Sequence, residues 1–253
     1  MDTILAVDFE FDVVWRFLFN ERIREGAWIT LQVAVLAQII GITLGIGLAL
    51  MRVARNPLPR FLSGTYIWFF RGTPVLLQLF IIYFGLPTLF DNPDFTRELT
   101  KFRAAIIAFA INEAAYMSEI IRSGIISVES GQMDAAKSLG MTQMQAMRRV
   151  ILPQALRVVV PPTGNEFIAM LKNTSLASAI GLFELLYAAQ TIYSRNFNFM
   201  ELLVVAAIWY LAFTTVFSIL QAELERRLAA GEREQPQTLF SRVLDLMGGR
   251  REL

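Results

Sequence analysis

Long uninterrupted apolar runs dominate the pattern of this chain. The runs from Trp28 to Met51 and from Leu202 to Ala222 contain no charged residue. The hydrocarbon core of a bilayer needs about 20 helical residues, at a rise of ~1.5 Å per residue. Each run is therefore long enough to cross a membrane as a helix. The pattern predicts an all-α polytopic membrane protein.

Three further apolar segments bring the predicted number of transmembrane helices to five. The predicted spans cover residues 28–52, 62–90, 102–126, 155–181 and 200–222. Residues 182–198, before the last span, are too polar to cross a membrane and too apolar for a free loop. We expect them to form a helix that lies at the outer membrane interface.

The basic residues predict the orientation of these spans. The 52–60 loop holds three arginines and no acid, and residues 122–157 hold five basic residues against two acids. The positive-inside rule places both in the cytoplasm. The N-terminal segment 1–27 is then extracytoplasmic and the tail 223–253 cytoplasmic, with a short amphipathic helix possible at 238–247. The acidic start of the chain is unlike a signal peptide, so we expect the first span to be retained.

Composition narrows the chemistry available to the chain. It has no cysteine and no histidine, which excludes disulfides, thiol catalysis, histidine acid–base chemistry and almost every zinc site. A net charge of +1 gives no sign of the strongly basic surface that nucleic-acid-binding proteins usually carry. There is no Gly-Lys pair and hence no phosphate-binding loop of the usual kind. We therefore expect no enzyme activity, metal or cofactor in this chain.

Several charged residues fall inside the predicted spans, where a charge costs ~2.5–3.5 kcal/mol on insertion scales. They are Arg71, Glu113, Glu119, Glu166 and Lys172. They either form structural ion pairs and interhelical hydrogen bonds or line a polar cavity that accepts a charged or zwitterionic solute. The pairs Glu113–Tyr116 and Glu119–Arg122 have helical i, i+3 spacing. The glycines 41, 45 and 47 predict a close helix-packing face.

The cytoplasmic segment SGQMDAAKSLGMTQMQAMRRVILP, residues 130–153, is unusually patterned. Ser130 is predicted to cap a short helix that ends at Gly140 in a left-handed conformation. A capping box at Thr142 predicts a second helix, which we expect to end at Pro153. An amphipathic connector resting on the membrane is the alternative.

The same segment resembles the Glu-Ala-Ala loop of bacterial ABC importer permeases. That pattern reads Glu-Ala-Ala, three residues, Gly, nine residues, Ile-x-Leu-Pro. Here Asp134 replaces the glutamate and Val150 the isoleucine, while the spacing is kept throughout. Further blocks resemble the polar amino-acid branch (histidine, glutamine and arginine type), and the resemblance covers about residues 26–222. These blocks are RGTP from Arg71, NEAAY from Asn112 and KNTSL from Lys172.

The resemblance implies a type I ABC importer permease of the bacterial inner membrane. It implies that loop 127–154 carries a coupling helix that docks on a separate ATPase subunit, which holds ATP-Mg. It also implies a second permease chain, identical or similar, and an extracytoplasmic solute-binding protein. The expected coupling residues are Gln132, Asp134, Ala135, Ala136, Ser138, Leu139 and Gly140.

A polar amino acid is the expected substrate, because it needs a cation for its carboxylate and an acid for its ammonium group. The expected contacts are Glu113, Tyr116, Lys172, Asn173, Thr174 and Ser175, with Arg71, Glu119 and Glu166 as further candidates. The alternative is a secondary transporter or channel driven by an ion gradient, which predicts inverted internal repeats. None is evident in the sequence. An intramembrane hydrolase lacks a supporting motif.

Overall fold

The computed structural model describes residues 9–90 and 92–229, and all of its regular elements in that part of the chain are helical. The amphipathic helix predicted at 238–247 lies outside the described residues. In chain order the α-helices are α1 Phe11–Leu18, α2 Glu21–Arg52, α3 Pro57–Gly72, α4 Val75–Phe80, α5 Leu86–Phe90, α6 Pro93–Glu98, α7 Lys101–Ser127, α8 Ser130–Ser138, α9 Gln143–Ala146, α10 Leu152–Asn173, α11 Leu185–Asn196 and α12 Phe199–Ala229.

Three of these helices are each long and apolar enough to cross a membrane, namely α2, α7 and α12. They coincide with the first, third and fifth predicted spans. α2 begins at Glu21, seven residues before the predicted start, because the side chain of Asn20 accepts a hydrogen bond from the backbone N–H of Arg22 and caps the helix. Two bent helix pairs raise the number of spans to five if each pair crosses once.

The second predicted span is not one continuous helix. α3 and the Val75–Phe90 helix meet at an angle of 102°. Pro74 has no N–H to continue the helix, and it disfavours the helical conformation at Thr73. Thr73 is accordingly extended. Residues Ile81–Gly85 between α4 and α5 form a π-helical turn. The predicted span 62–90 thus contains a sharp bend at residues 73 and 74, and its crossing of the membrane as one span stays a prediction.

The helix that contains the fourth predicted span starts well before residue 155. The chain stays helical from Gln143 through a π-helical turn at Met147–Ile151, through α10 and into a 3₁₀ segment at Thr174–Ile180. Pro153 therefore does not end the second helix of the patterned segment. It stands in the first turn of α10, directly after the π-helical turn.

The helix predicted within 182–198 is present as α11, which is inclined by 47° to the helix before it. Small residues let it approach α2 closely, since a Cβ on Gly26 would lie 2.7 Å from that of Ala188. The position of α11 at a membrane interface stays a prediction. The N-terminal segment also forms a helix, α1, and the carbonyl oxygen of Leu18 at its end accepts a hydrogen bond from the indole of Trp209 at 2.8 Å.

The central packing pair is α2 with α7, and glycines make it possible. A Cβ on Gly41 would lie 2.6 Å from the Cγ of Glu113, and one on Gly45 would lie 2.7 Å from the Cβ of Met117. Gly47 has no such neighbour within 4 Å. The predicted glycine face is thus confirmed at two of its three positions.

Candidate functional site: a charged cavity beside the broken helix

A cavity of about 450 Å³ lies where the break after α3 faces α7 and α10. Its volume suits a small organic solute. Its charged lining groups are Arg71, Glu113 and Glu166. The complete lining consists of Arg71, Gly72, Thr73, Pro74, Val75, Phe109, Asn112, Glu113, Tyr116, Glu166, Met170 and Asn173.

Side-chain amides stabilise the break between α3 and α4 by donating hydrogen bonds to the backbone there. The amide nitrogen of Gln78, on α4, donates to the carbonyl oxygens of Phe70 and Thr73 at 3.0 and 3.1 Å and to the hydroxyl of Thr73 at 2.8 Å. Asn112, on α7, donates to the carbonyl of Phe70 and to the side-chain oxygen of Gln78, each at 3.0 Å. These bonds satisfy backbone carbonyls that the break leaves without helical partners.

Arg71 lies at the last turn of α3, just before the break. Its guanidinium stands over the ring of Tyr116 on α7, 5.1 Å from the ring centroid. This distance is within the range of an attractive cation–π contact. The contact holds a permanently charged donor group at the cavity wall while its side chain stays exposed.

Glu113 lies on the facing wall and is buried, with 3% of its surface exposed. The amide nitrogen of Gln38, on α2, donates to its Oε1 at 3.0 Å. Glu166, on α10, is half-buried and lines the same cavity as Arg71 and Glu113. The cavity therefore brings together two carboxylates and one guanidinium.

Five of the predicted substrate residues line this cavity, and four do not. The cavity contains Arg71, Glu113, Tyr116, Glu166 and Asn173. Outside it, Lys172 is exposed and Thr174 is buried, with its hydroxyl donating to the carbonyl of Leu171. Ser175 donates in the same way to the carbonyl of Lys172.

Glu119, which lies outside the cavity, forms ion pairs with two arginines. It pairs with Arg122 at 2.6 Å and with Arg52, on α2, at 3.8 Å. The predicted i, i+3 pair is confirmed, and a second helix joins it.

Sequence reasoning did not single out Gln38, Gln78 or Asn112 as residues of the site. Nor did it single out Glu184, which is fully buried and caps α11 by accepting hydrogen bonds from the backbone N–H groups of Leu186 and Tyr187. Glutamine and asparagine inside predicted spans were the available signal.

The patterned segment at residues 130–153 forms a helix, a turn and a second helix. Ser130 is the first helical residue of α8 rather than its cap, and Glu129 takes the cap position without a side-chain bond. Gly140 is left-handed, with φ +82°, as predicted. The capping box of Thr142 and Gln145 is also confirmed.

The expected coupling residues differ in how far they are exposed to solvent. Asp134, Ala135, Ser138 and Leu139 are exposed, and Leu139 shows 81% of its surface. Gln132 is partly buried and Ala136 is buried. The outward face of α8 and its turn thus presents a small residue beside an exposed leucine.

Comparisons with known proteins agree with this architecture. Residues 41–230 match the family described as binding-protein-dependent transport system inner membrane component. The arginine transport system permease protein ArgU of Corynebacterium glutamicum is 41% identical over 92% of this chain and 75% of its own length. The probable amino-acid permease protein YxeN of Bacillus subtilis is 42% identical over 85% of this chain and 96% of its own length.

Solved structures give the same result. A crystal structure of an amino acid ABC transporter with histidines is 39% identical, with a TM-score of 0.76, and covers 88% of this chain and all of that one. The MetNI methionine ABC transporter, at 19% identity and a TM-score of 0.65 over 87% of this chain and 99% of that one, shares the fold. The resemblance seen in the sequence is confirmed, and it favours the importer over a secondary transporter or channel. The chain belongs to the family of inner membrane components of binding-protein-dependent transport systems, and it is the membrane-spanning permease subunit of an ABC importer.

Proposed function

We propose that this permease conducts a positively charged amino acid and binds it in the cavity beside the broken helix. The observation that carries the proposal is the imbalance of two carboxylates against one guanidinium. When both carboxylates are ionised, the cavity has a net charge of −1. A solute of net charge +1 neutralises it, whereas a neutral amino acid leaves one carboxylate without a partner.

Each charged group has a chemical counterpart in such a solute. The guanidinium of Arg71 suits the α-carboxylate, because it presents several N–H donors in a planar fork. Glu113 and Glu166 suit the α-ammonium and the side-chain cation. The similarity to a relative named as an arginine permease supports the proposal, while other relatives are named for cystine and glutamine.

Competition for uptake tests the proposed substrate class. Cells that express the complete transporter take up radiolabelled arginine, and unlabelled lysine or ornithine is expected to compete at much lower concentration than glutamine or glutamate. Glu113→Gln and Glu166→Gln are each expected to weaken arginine uptake at least tenfold, the size of one lost charged hydrogen bond. Glu119→Gln, outside the cavity, serves as the matched control. Equal competition by glutamine would contradict a cationic substrate and indicate that a carboxylate binds a proton instead.

The remaining parts of the transport cycle belong to partners. We propose that α8 and its turn dock on an ATPase subunit that binds ATP-Mg, because Ala135 and Leu139 leave a small residue beside an exposed apolar one on a cytoplasmic segment. A second permease chain and an extracytoplasmic solute-binding protein complete the proposed assembly. No cofactor is assigned to this chain.

Isolation of the assembly tests these partners. The tagged chain, purified from its native cells in mild detergent, is expected to bring an ATPase subunit with it, identified by mass spectrometry. A second, different permease in the sample would indicate a heterodimer, and its absence a homodimer. A chain that is isolated alone and transports with ATP depleted would contradict the proposal.

A further inference from the structure

We infer that Gln38, on α2, is a positioning residue of the substrate cavity. Its side-chain amide fixes the carboxylate of Glu113 from the side of α2. The inference rests on the proposed function, since it assumes that Glu113 contacts the substrate. It adds a residue from a helix that does not itself line the cavity.

The geometry of the contact is specific. Gln38 has 5% of its surface exposed and lies in the interface between α2 and α7. Its amide nitrogen donates to Oε1 of Glu113 at 3.0 Å and lies 3.7 Å from the sulfur of Met117. The amide therefore bonds only one of the two carboxylate oxygens of Glu113, a residue that lines the cavity.

The backbone of α2 restricts Glu113 from the same side. Gly41 lies one turn beyond Gln38, and a Cβ at that position would come within 2.6 and 2.7 Å of the Cγ and Cβ of Glu113. The side chain of Glu113 thus occupies space that only a glycine provides. Gly41 packs against the Cβ and Cγ of Glu113, and Gln38 donates a hydrogen bond to its carboxylate. The carboxylate therefore has little freedom to turn away from the cavity.

The side-chain oxygen of Gln38 makes no hydrogen bond among residues 9–90 and 92–229 that would explain a polar residue at this position. This oxygen is nevertheless buried. A buried acceptor without a partner costs free energy that an apolar side chain would not. The bond to Glu113 is the interaction that offsets this cost, which ties the residue to the carboxylate rather than to helix packing.

Binding of radiolabelled arginine to the intact purified transporter complex tests the inference. Gln38→Met keeps the volume of the side chain and removes the donor. It is expected to raise the half-saturation concentration about tenfold, the loss typical of a hydrogen bond to a charged group. Ser118→Ala is the matched control, because the Ser118 hydroxyl is equally buried on α7 but donates within its own helix, to the carbonyl of Ala115.

A double-variant cycle separates positioning from mere structural support. If Gln38 acts through Glu113, Gln38→Met is expected to add almost no further loss in a Glu113→Ala background, which has no acceptor for the Gln38 amide. An equal loss in both backgrounds would show that Gln38 acts through packing and would overturn the inference. If the methionine variant fails to assemble, Gln38→Asn, which retracts the same amide by one methylene, is expected to show the same loss and the same cycle.

The results also distinguish this inference from the proposed function. Unchanged arginine binding by Glu113→Gln would remove Glu113 from the site, and both ideas would fail. A large loss with Glu113→Gln but none with Gln38→Met would retain the cavity as the substrate site and overturn the role of Gln38 alone.

Discussion

At the scale of single residues, the cavity depends on charges that are held in place by uncharged neighbours. Arg71 stands over Tyr116, and the carboxylate of Glu113 is held by an amide from another helix. A charge in a membrane protein is costly unless its surroundings compensate it. The neighbours therefore determine which of the intramembrane charges can meet a solute.

Replacement of Arg71 tests the role of the guanidinium. Arg71→Lys keeps the charge but loses the planar fork and its stacking on Tyr116. We expect a raised half-saturation concentration for arginine uptake with much of the maximal rate retained. Arg71→Gln leaves two carboxylates without a cation, and we expect uptake to be nearly lost. Arg97→Gln, on the exposed α6 and outside the cavity, is the control, and an equal effect there would argue against a role for Arg71.

At the scale of elements, the break between α3 and α4 is the feature that creates the cavity. Pro74 starts the break, and side-chain amides satisfy the carbonyls that it frees. A helix that continued straight through residues 73 and 74 would not turn its last residues toward α7 and α10. The geometry of the site thus depends on a short stretch of irregular backbone.

Gln78→Leu tests that dependence. The change leaves the carbonyl of Thr73 without the Gln78 amide, whereas the carbonyl of Phe70 keeps its bond from Asn112. A buried acceptor without a partner costs about 1–3 kcal/mol. We expect a lower Tm for the purified complex and weaker arginine uptake. Thr88→Val, which removes an exposed hydroxyl that bonds within its own helix, provides the comparison. A Tm that matches this control would mean that the break does not need Gln78.

The turn after α8 is a second element with a strict backbone requirement. Gly140 has φ +82° and no neighbour within 4 Å of an added Cβ, so a substitution there meets strain but no clash. Gly140→Ala is expected to cost about 1–2 kcal/mol in this left-handed conformation. We expect less ATPase subunit to co-purify and less uptake per ATP hydrolysed. Gly131→Ala, with equally open space and an ordinary φ, is the control, and equal behaviour of the two variants would exclude the strain mechanism.

At the scale of the whole molecule, orientation in the membrane follows from the distribution of charge. The patterned segment carries basic residues, and the positive-inside rule favours the cytoplasm for it. The chain contains no cysteine, so a single introduced cysteine reports one position without background. We expect Lys137→Cys to be protected from a membrane-impermeant thiol reagent in intact cells and Arg97→Cys to be labelled. The opposite pattern would reverse the topology.

Much of the fold was predictable because membrane insertion depends on local composition. The apolar runs around α2, α7 and α12 were placed correctly, since length and hydropathy alone identify a spanning helix. The capping box at Thr142 and the left-handed Gly140 were predicted because they depend on residues that are neighbours in sequence. The break at Pro74 and the continuation of the helix from α9 through Pro153 into α10 were not predicted, because a proline either ends a helix or is tolerated according to its surroundings.

The sequence by itself determined that this chain is a helical membrane protein, that its motifs resemble those of ABC importer permeases, and that five charged residues fall inside its predicted spans. Those conclusions rest on composition and on spacing within short segments. Only the tertiary structure decided that Arg71, Glu113 and Glu166 line one cavity while Lys172 and Glu119 lie elsewhere, and that Gln38 holds Glu113. The physical reason is that such contacts join residues far apart in the chain, whose meeting depends on how α2, α3, α7 and α10 pack.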